Sequence, residues 1–245
     1  MTTLLPATRE IADVFTEEIR QGGGTVSERF DDGIRLFLRA VLTATDEVRP
    51  GDALRAGVAL RTSADEILIH PYTFRQVCRN GAIMAQAIET RRIHRVSFSA
   101  PSEEIEQVLA ELREAVQVCS SDEAFSTAAS QLRSATEMHA DLALNLLPML
   151  GRGSSLPAEL LTMIWGRFED ESDRSTFGLV NAVTSTARDT ADPEMRWRLE
   201  ELGGGIPARL RPDPTPSGAR ATRKRAGQTL ESDRISRESL ADVGA

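Results

Sequence analysis

The spacing of apolar residues changes twice along this chain, from every third or fourth residue to every second near residue 24, and back again after Ser99. Over residues 24–99 apolar side chains alternate with polar or charged ones, most clearly in 34–43 and 54–61. Such alternation is typical of strands that bury one face. Asp32-Gly33 and Asn80-Gly81 are turn dipeptides between these segments. The pattern predicts an antiparallel β-meander over residues 24–99.

Helical spacing appears on both sides of the predicted sheet. One helix is predicted over 6–21 and ends at Gly22-Gly23-Gly24. The helices after Ser99 are predicted at 105–119 with Ser102 as N-cap, 125–146, 157–168, 177–188, and 193–202 ended by Gly203-Gly204-Gly205. This order of elements predicts a single α+β domain at residues 1–210, in which a helical layer follows the sheet. The polar, proline-containing residues 211–245 predict a flexible tail.

The basic residues are almost all arginine, which argues against several enzyme classes. Lys224 is the single lysine among 29 basic residues and lies in the predicted tail. P-loop phosphate binding and Schiff-base chemistry both need a lysine amine. We therefore expect neither. The codon usage of a GC-rich genome explains the bias equally well.

The sequence predicts no metal site, no cofactor and no membrane association. Cys78 and Cys119 are far apart, the three histidines have no helical pairing, and zinc-ligand spacings are absent. Cys78 is expected to be a buried, inert thiol. No run of about 18 apolar residues occurs, and residues 1–10 lack the layout of a secretory signal. With so few cysteines, we expect a reducing, cytoplasmic location.

The net charge of −8 is unevenly distributed. Residues 75–95 are basic, whereas residues 96–210 contain 19 acidic and 9 basic residues. A second basic cluster lies in the tail, at Arg220, Arg223, Lys224 and Arg225. This tail cluster would either add non-specific phosphate contacts or be solvated without a role in binding. The acidic total argues against coating duplex DNA by bulk charge, but a local basic stripe is compatible with nucleic-acid binding.

Four short motifs resemble those of DUF932, a family of uncharacterised phage- and plasmid-associated proteins. The segment Phe74-Arg-Gln-Val-Cys-Arg-Asn-Gly81 is similar to the family's R-x-V-C-x-N-G core. The segments 61–65, 181–184 and 200–203 resemble its N-S-x-D-G turn, its N-A-x-T helix and its terminal leucine-x-glycine, although the first lacks the Asn and the Gly. The resemblance covers about residues 25–205. It implies an α+β domain from a mobile element, and no catalytic residues.

The arginines of the predicted sheet are the candidate binding residues. Strand parity places Arg35, Arg39, Arg55 and Arg61 opposite the core leucines. Arg75 and Arg79 join them only if a bulge or break near Pro71 reverses the parity of the 66–78 strand. Guanidinium groups would hold phosphates and an aromatic ring would stack on bases. The full candidate set is Arg35, Phe37, Arg39, Arg55, Arg61, Arg75, Arg79, Arg91, Arg92 and Arg95. The alternative is that a helix covers this face and its acids pair with the arginines.

Two functions follow from these patterns. The first is a non-enzymatic nucleic-acid-binding accessory protein of a phage or plasmid, acting on single strands rather than duplex in replication or recombination. The second is a protein-interaction module, such as an anti-defence or regulatory factor, that binds a host protein through its acidic helices. Self-association is open in both. A hydrolase that uses the acids at 169–173 is the weakest alternative.

Overall fold

The computed structural model describes residues 4–63, 65–76, 79–85, 87, 91–97, 100–153 and 155–209. Cys78 and the predicted tail lie outside these residues. The helices are α1 (Thr8–Gln21), α2 (Ser102–Cys119), α3 (Asp122–Thr136), α4 (Asp141–Gly153), α5 (Ala158–Asp170), α6 (Thr176–Arg188) and α7 (Pro193–Arg209). The strands are β1 (Leu4–Leu5), β2 (Thr25–Asp31), β3 (Leu36–Glu47), β4 (Ala53–Thr62), β5 (Glu66–Arg75), β6 (Asn80–Ile83), β7 (Arg91–His94) and β8 (Val96–Ser97). The predicted α+β class is confirmed.

A curled antiparallel sheet is the centre of the fold. Its strands run in the order β2-β3-β4-β5-β6, so each neighbour in sequence is also a neighbour in space, and the predicted meander is confirmed. β7 returns to pair with the first half of β5, and β8 pairs with β1 in a separate two-stranded sheet. Asp32 closes the β2–β3 hairpin, since its carboxylate accepts bonds from the backbone N–H groups of Ile34 and Arg35.

Each face of the sheet is buried by a different part of the chain. The first face carries Leu36, Leu38, Val58 and Leu60, and it packs into the main core with side chains of α1, α2, α3 and α6. The second face forms a smaller cluster of Phe37, Ala59, Tyr72 and Ile83 with Trp197 of α7. Helix α7 therefore covers the face on which the predicted surface arginines were expected.

Two predicted strand features differ from the structure. Pro71 does not interrupt β5, because the β4–β5 register is unbroken from Leu54↔Arg75 to Thr62↔Ile67. The Pro71 carbonyl accepts a bond from the Met84 N–H. In an antiparallel strand the N and the carbonyl of one residue point to the same side, so the missing N–H of Pro71 lies on the side away from β4 and costs no bond to that strand. Asn80-Gly81 is not a turn but the start of β6, paired with the end of β5.

Three predicted helix boundaries were also wrong. The 125–146 stripe is two helices, because the segment between them bonds to the 174–176 loop: the Thr176 N–H donates to the Met138 carbonyl at 2.7 Å. Pro101 rather than Ser102 is the N-cap of α2. Helix α7 continues through Gly203-Gly204-Gly205 to Arg209. In the described part of the chain no helix is long and apolar enough to cross a membrane.

Candidate functional site

Arg39 is buried, contrary to the prediction that it faces solvent. It lies on the second face of the sheet and is only 4% exposed. Its Nη2 lies 2.7 Å from Glu200 Oε2 on α7, and its Nη1 lies 3.3 Å from Glu28 Oε2 on β2. Arg196 joins the same two acids, through Glu28 Oε1 at 2.8 Å and Glu200 Oε1 at 3.1 Å. The four residues form a charge network between sheet and helix, in which Arg39 and Glu200 are buried and Arg196 and Glu28 are partly exposed.

Phe37 and Arg61 lie beneath the same helix. Phe37 is 1% exposed and its ring centroid is 6.1 Å from that of Trp197, so it is not available to stack on a base. The Arg61 guanidinium lies 5.5 Å from the centre of the Trp197 ring, and its Nη1 is 2.9 Å from Glu194 Oε1. Both contacts tie β3 and β4 to α7.

Arg55 and Arg35 are held by local contacts. Arg55 is half-buried and donates from Nε and Nη2 to the Leu42 carbonyl, where the β3–β4 register shifts. Arg35 is exposed, but its guanidinium is bonded to the Asp32 carboxylate and lies over the ring of Phe30.

Arg75 lies on the opposite face of the sheet. Because no bulge occurs at Pro71, Arg75 shares the face of Ile67 and Ile69 and pairs across β4 with Leu54. Its Nε donates to Asp52 Oδ1 at 2.6 Å, and its guanidinium lies 5.3 Å from the Phe177 ring centre. The prediction that Arg75 joins Arg39 on one surface was wrong.

The four remaining candidates lie near β6 and β7. Arg79 is exposed and has a left-handed backbone, with φ 52°. Arg92 is exposed and bonded to Glu66 at 2.8 Å, whereas Arg91 is half-buried on the first face, paired with Ile69. Arg95 is half-buried and donates to the Pro6 carbonyl. The ten predicted residues therefore do not form one surface. On the second face the structure has the alternative arrangement, in which a helix covers the sheet and its acidic residues pair with the arginines.

Residues of two separate sequence motifs meet at the end of the sheet. Asn80 Nδ2 donates to Thr184 Oγ1 at 2.6 Å, across 104 residues of sequence. Both residues line a small cavity together with Arg75, Gly81 and Asn181. Gly81 is required there, since a Cβ at this position would lie 1.9 Å from the Tyr72 hydroxyl oxygen. The motif positions thus join β6 to α6, a packing role that the sequence analysis did not anticipate.

The charged partners on α7 were also missed. Helix α7 provides Glu194, Arg196 and Glu200, and the prediction treated the acids of 96–210 only as a collective excess. Burial raises the pKa of Glu200, and the guanidinium groups of Arg39 and Arg196 oppose that shift. The one signal in the sequence was the i, i+4 spacing of Arg196 with Glu200 and of Glu194 with Arg198.

The chemistry of the remaining candidates is limited. Cys119 is buried, and desolvation raises the pKa of its thiol to about 12, so it is not a nucleophile at neutral pH. Within the described ranges, no group of three or more His, Cys, Asp or Glu side chains is placed to hold a metal ion. The acids of 169–173 include Asp173, whose carboxylate is bonded to Arg49 at 2.7 Å.

Comparisons with protein-family models, with curated proteins and with solved structures find no match to this chain. The resemblance to DUF932 therefore stays a prediction. What the structure itself defines is an α+β protein whose sheet is covered on both faces.

Proposed function

We propose that this chain is a non-enzymatic interaction module that binds a protein partner through the apolar surface of α4 and α5. One observation carries the proposal. Leu147 and Pro148 of α4 and Leu161 and Trp165 of α5 line an open, almost entirely apolar groove, and Trp165 is 45% exposed. Groups of exposed large apolar side chains on neighbouring helices are typical of interaction surfaces.

Two exposed methionines extend the apolar character of these helices. Met149 is 54% exposed on α4 and Met163 is 43% exposed on α5. Methionine side chains are unbranched and adapt to the shape of a partner. Both methionines lie on the helices that form the groove but outside its lining, and they add to the exposed apolar surface of this helical pair.

The charges on the two helices that form the groove indicate the chemistry of the partner. Four exposed acids lie on α4 and α5, and in the described part of the chain none of them forms an ion pair: Asp141, Glu159, Glu169 and Asp170. The bases are Arg152 and Arg167, and Arg167 is already bonded to Asp189 at 2.7 Å. A basic amphipathic segment, with apolar residues for the groove and Lys or Arg for the rim, is therefore the complementary partner.

The groove can be tested with two designed helical peptides. Both carry leucine on one face, and the other face is lysine in one peptide and glutamate in the second. We expect the Leu/Lys peptide to bind saturably and to shift the Trp165 emission to shorter wavelength, because the other tryptophan, Trp197, is fully buried. Trp165→Glu should weaken binding of the labelled Leu/Lys peptide at least about tenfold, measured by fluorescence polarisation.

Ile34→Glu is the matched control, since it introduces the same charge at another exposed large apolar residue, which is 58% exposed in the β2–β3 hairpin. It should leave the affinity unchanged. Equal binding of the Leu/Glu peptide, an equal loss in Ile34→Glu, or the absence of saturable binding would each contradict the proposal.

Single-strand nucleic-acid binding is a second candidate, and it now depends on fewer residues. The observation that favours it is the basic edge of the sheet, where Arg92 and His94 of β7 and Arg79 before β6 are exposed. Guanidinium groups at an open sheet edge are able to contact phosphates. The arginines that hold the fold, above all Arg39 and Arg75, are not useful test positions, because replacing them would perturb folding rather than binding.

The test is a polarisation titration with labelled single-stranded and duplex oligonucleotides at two salt concentrations. The double variant Arg79→Glu, Arg92→Glu should weaken single-strand binding by about tenfold or more at low salt. Arg9→Glu, at an exposed arginine of α1, should not. If the wild-type protein binds neither oligonucleotide at low salt, this second candidate is excluded.

A further inference from the structure

A polar cleft opens between the N-terminal half of α7, its last turn and the α4–α5 connection. It is lined by Arg61 of β4, by Glu194, Arg198, Glu201, Leu202 and Arg209 of α7, and by Gly153 and Ser155. Its volume of about 320 Å³ is in the range of small-molecule sites. The cleft is distinct from the apolar groove of α4 and α5, so nothing below depends on the proposed partner.

One carboxylate holds two of the guanidinium groups in place. Glu194 Oε1 accepts from Arg61 Nη1 at 2.9 Å and from Arg198 Nε at 3.2 Å. Because one carboxylate faces two guanidinium groups, the cluster of Glu194, Arg61 and Arg198 retains a net positive charge. The outward nitrogens of Arg198 have no other bond in the described structure. The cleft therefore offers charged donors that the protein does not use itself.

Arg209 adds a third guanidinium at the end of α7, exposed and without an ion pair among the described residues. Two carboxylates, Glu194 and Glu201, face the same cleft and limit the net charge. Ser155 on the wall has a left-handed backbone with φ 54°, a conformation that is costly for a residue other than glycine and that is common at binding sites.

A further arginine, Arg92, lies near Arg61 on the second face of the sheet and is bonded to Glu66. On the second face of the sheet, Arg61 pairs with Leu68 of β5, which in turn pairs with Arg92 of β7. The pKa of His70 on the same face is lowered to about 4, first by burial and then by the charges of Arg61 and Arg92. Guanidinium groups close together are able to attract anions locally even on a protein of net charge −8.

We propose that this cleft binds a phosphate group, either free or as part of a small phosphorylated molecule. Guanidinium groups bind carboxylate as well as phosphate. Carboxylate is planar and suits a single guanidinium fork, whereas the tetrahedral oxygens of phosphate accept from several sides at once. Arginines here approach from β4, from the middle of α7 and from its end. The cleft is larger than one phosphate ion and leaves room for an organic group.

Calorimetric titration of the full chain at low ionic strength tests the proposal. The probes are inorganic phosphate, adenosine monophosphate and adenosine. We expect saturable binding of the first two, no binding of adenosine, and weaker binding as salt is raised. Comparing phosphate with adenosine monophosphate shows whether the free ion or the ester is the better ligand. Arg198→Gln should weaken phosphate binding about tenfold or more, because it removes a charge-assisted donor.

Arg9→Gln is the control, since Arg9 is a highly exposed arginine on α1 whose ion pair with Asp13 is long, at 3.9 Å. It should bind as the wild type does. Arg198 is half-buried and bonds to Glu194, so the thermal midpoint of its variant verifies folding. Arg209→Gln is the second variant and should also weaken binding. Binding of adenosine as tight as that of the monophosphate, no phosphate binding, or unchanged affinity in both cleft variants would overturn the proposal.

Discussion

At the scale of single residues, the buried ion pair of Arg39 and Glu200 defines the second face of the sheet. Glu200 is 1% exposed and Arg39 is 4% exposed, so both charges have left water. Such a pair gains little over apolar residues of similar size, but each charge depends on the other. The parity that placed Arg39 opposite Leu36 and Leu38 was correctly predicted, whereas its exposure was not, because parity states which face a side chain is on and not what covers that face.

The first prediction concerns this pair. Glu200→Gln leaves the Arg39 guanidinium buried with weaker compensation and should lower the free energy of unfolding by about 3–5 kcal/mol. The double variant Arg39→Met, Glu200→Leu removes both charges and should be more stable than Glu200→Gln. Urea denaturation followed by circular dichroism measures both. A double variant that is less stable than Glu200→Gln would show that the buried guanidinium does not depend on the Glu200 charge.

The second prediction concerns His70, whose folded-state pKa of about 4 is below its ordinary value of 6.5. Burial disfavours the imidazolium, so the unfolded chain binds the proton more readily between these two values. The stabilisation is therefore complete above pH 6.5 and is lost as the pH falls towards 4, by up to about 3 kcal/mol. The variant His70→Phe should flatten this part of the stability profile, measured by urea denaturation from pH 7 to pH 4.5.

His139→Gln is the control for this experiment, because it replaces an exposed histidine outside the buried site of His70. A His70→Phe variant with the same loss of stability between pH 7 and pH 4.5 as the wild type would assign the slope to other groups.

At the scale of elements, helix α7 departs furthest from the prediction. A run of three glycines ordinarily ends a helix. Here the glycines let α7 approach its neighbours: a Cβ at Gly203 would lie 2.7 Å from Thr184 Cγ2, and one at Gly204 would lie 2.0 Å from the Ile83 carbonyl oxygen. Tertiary contact therefore overrides the local preference, and no property of the segment itself distinguishes the two outcomes.

The third prediction follows from that close contact. Gly204→Ala should destabilise the protein by about 1–3 kcal/mol, since the clash with β6 backbone outweighs the better helix propensity of alanine. Gly166→Ala on α5 is the matched control: a Cβ there meets nothing within 4 Å, so it should stabilise by about 0.5–1 kcal/mol. Thermal unfolding of both variants measures the contrast. Equal effects would show that α7 is not packed tightly on β6.

At the scale of the whole molecule, the last helix completes a fold that the meander begins. The first face of the sheet is buried by helices from both ends of the domain. In the apolar cluster on the second face, α7 is the one described helix that contributes a side chain, Trp197. Removing α7 would expose Phe37 and Tyr72 together with the charge of Arg39.

The fourth prediction tests this dependence. A chain that ends at Asp192 should lose its cooperative thermal transition and bind the dye ANS, because the second face is left without its apolar cover. The full chain should show the transition and little dye binding. A truncated chain that unfolds cooperatively at the temperature of the full chain would mean that α7 is not required for the fold.

The sequence by itself determined the α+β class, the meander, most element positions and the parity of β3 and β4, because these depend on the period of apolar residues and on short-range turn chemistry. Only the tertiary structure decided which arginines reach solvent. Exposure depends on contacts such as Arg39 with Glu200, separated by 161 residues, and on the unbroken register at Pro71 that places Arg75 on the other face. Such pairings are set by how distant elements pack, and a local pattern does not contain that information.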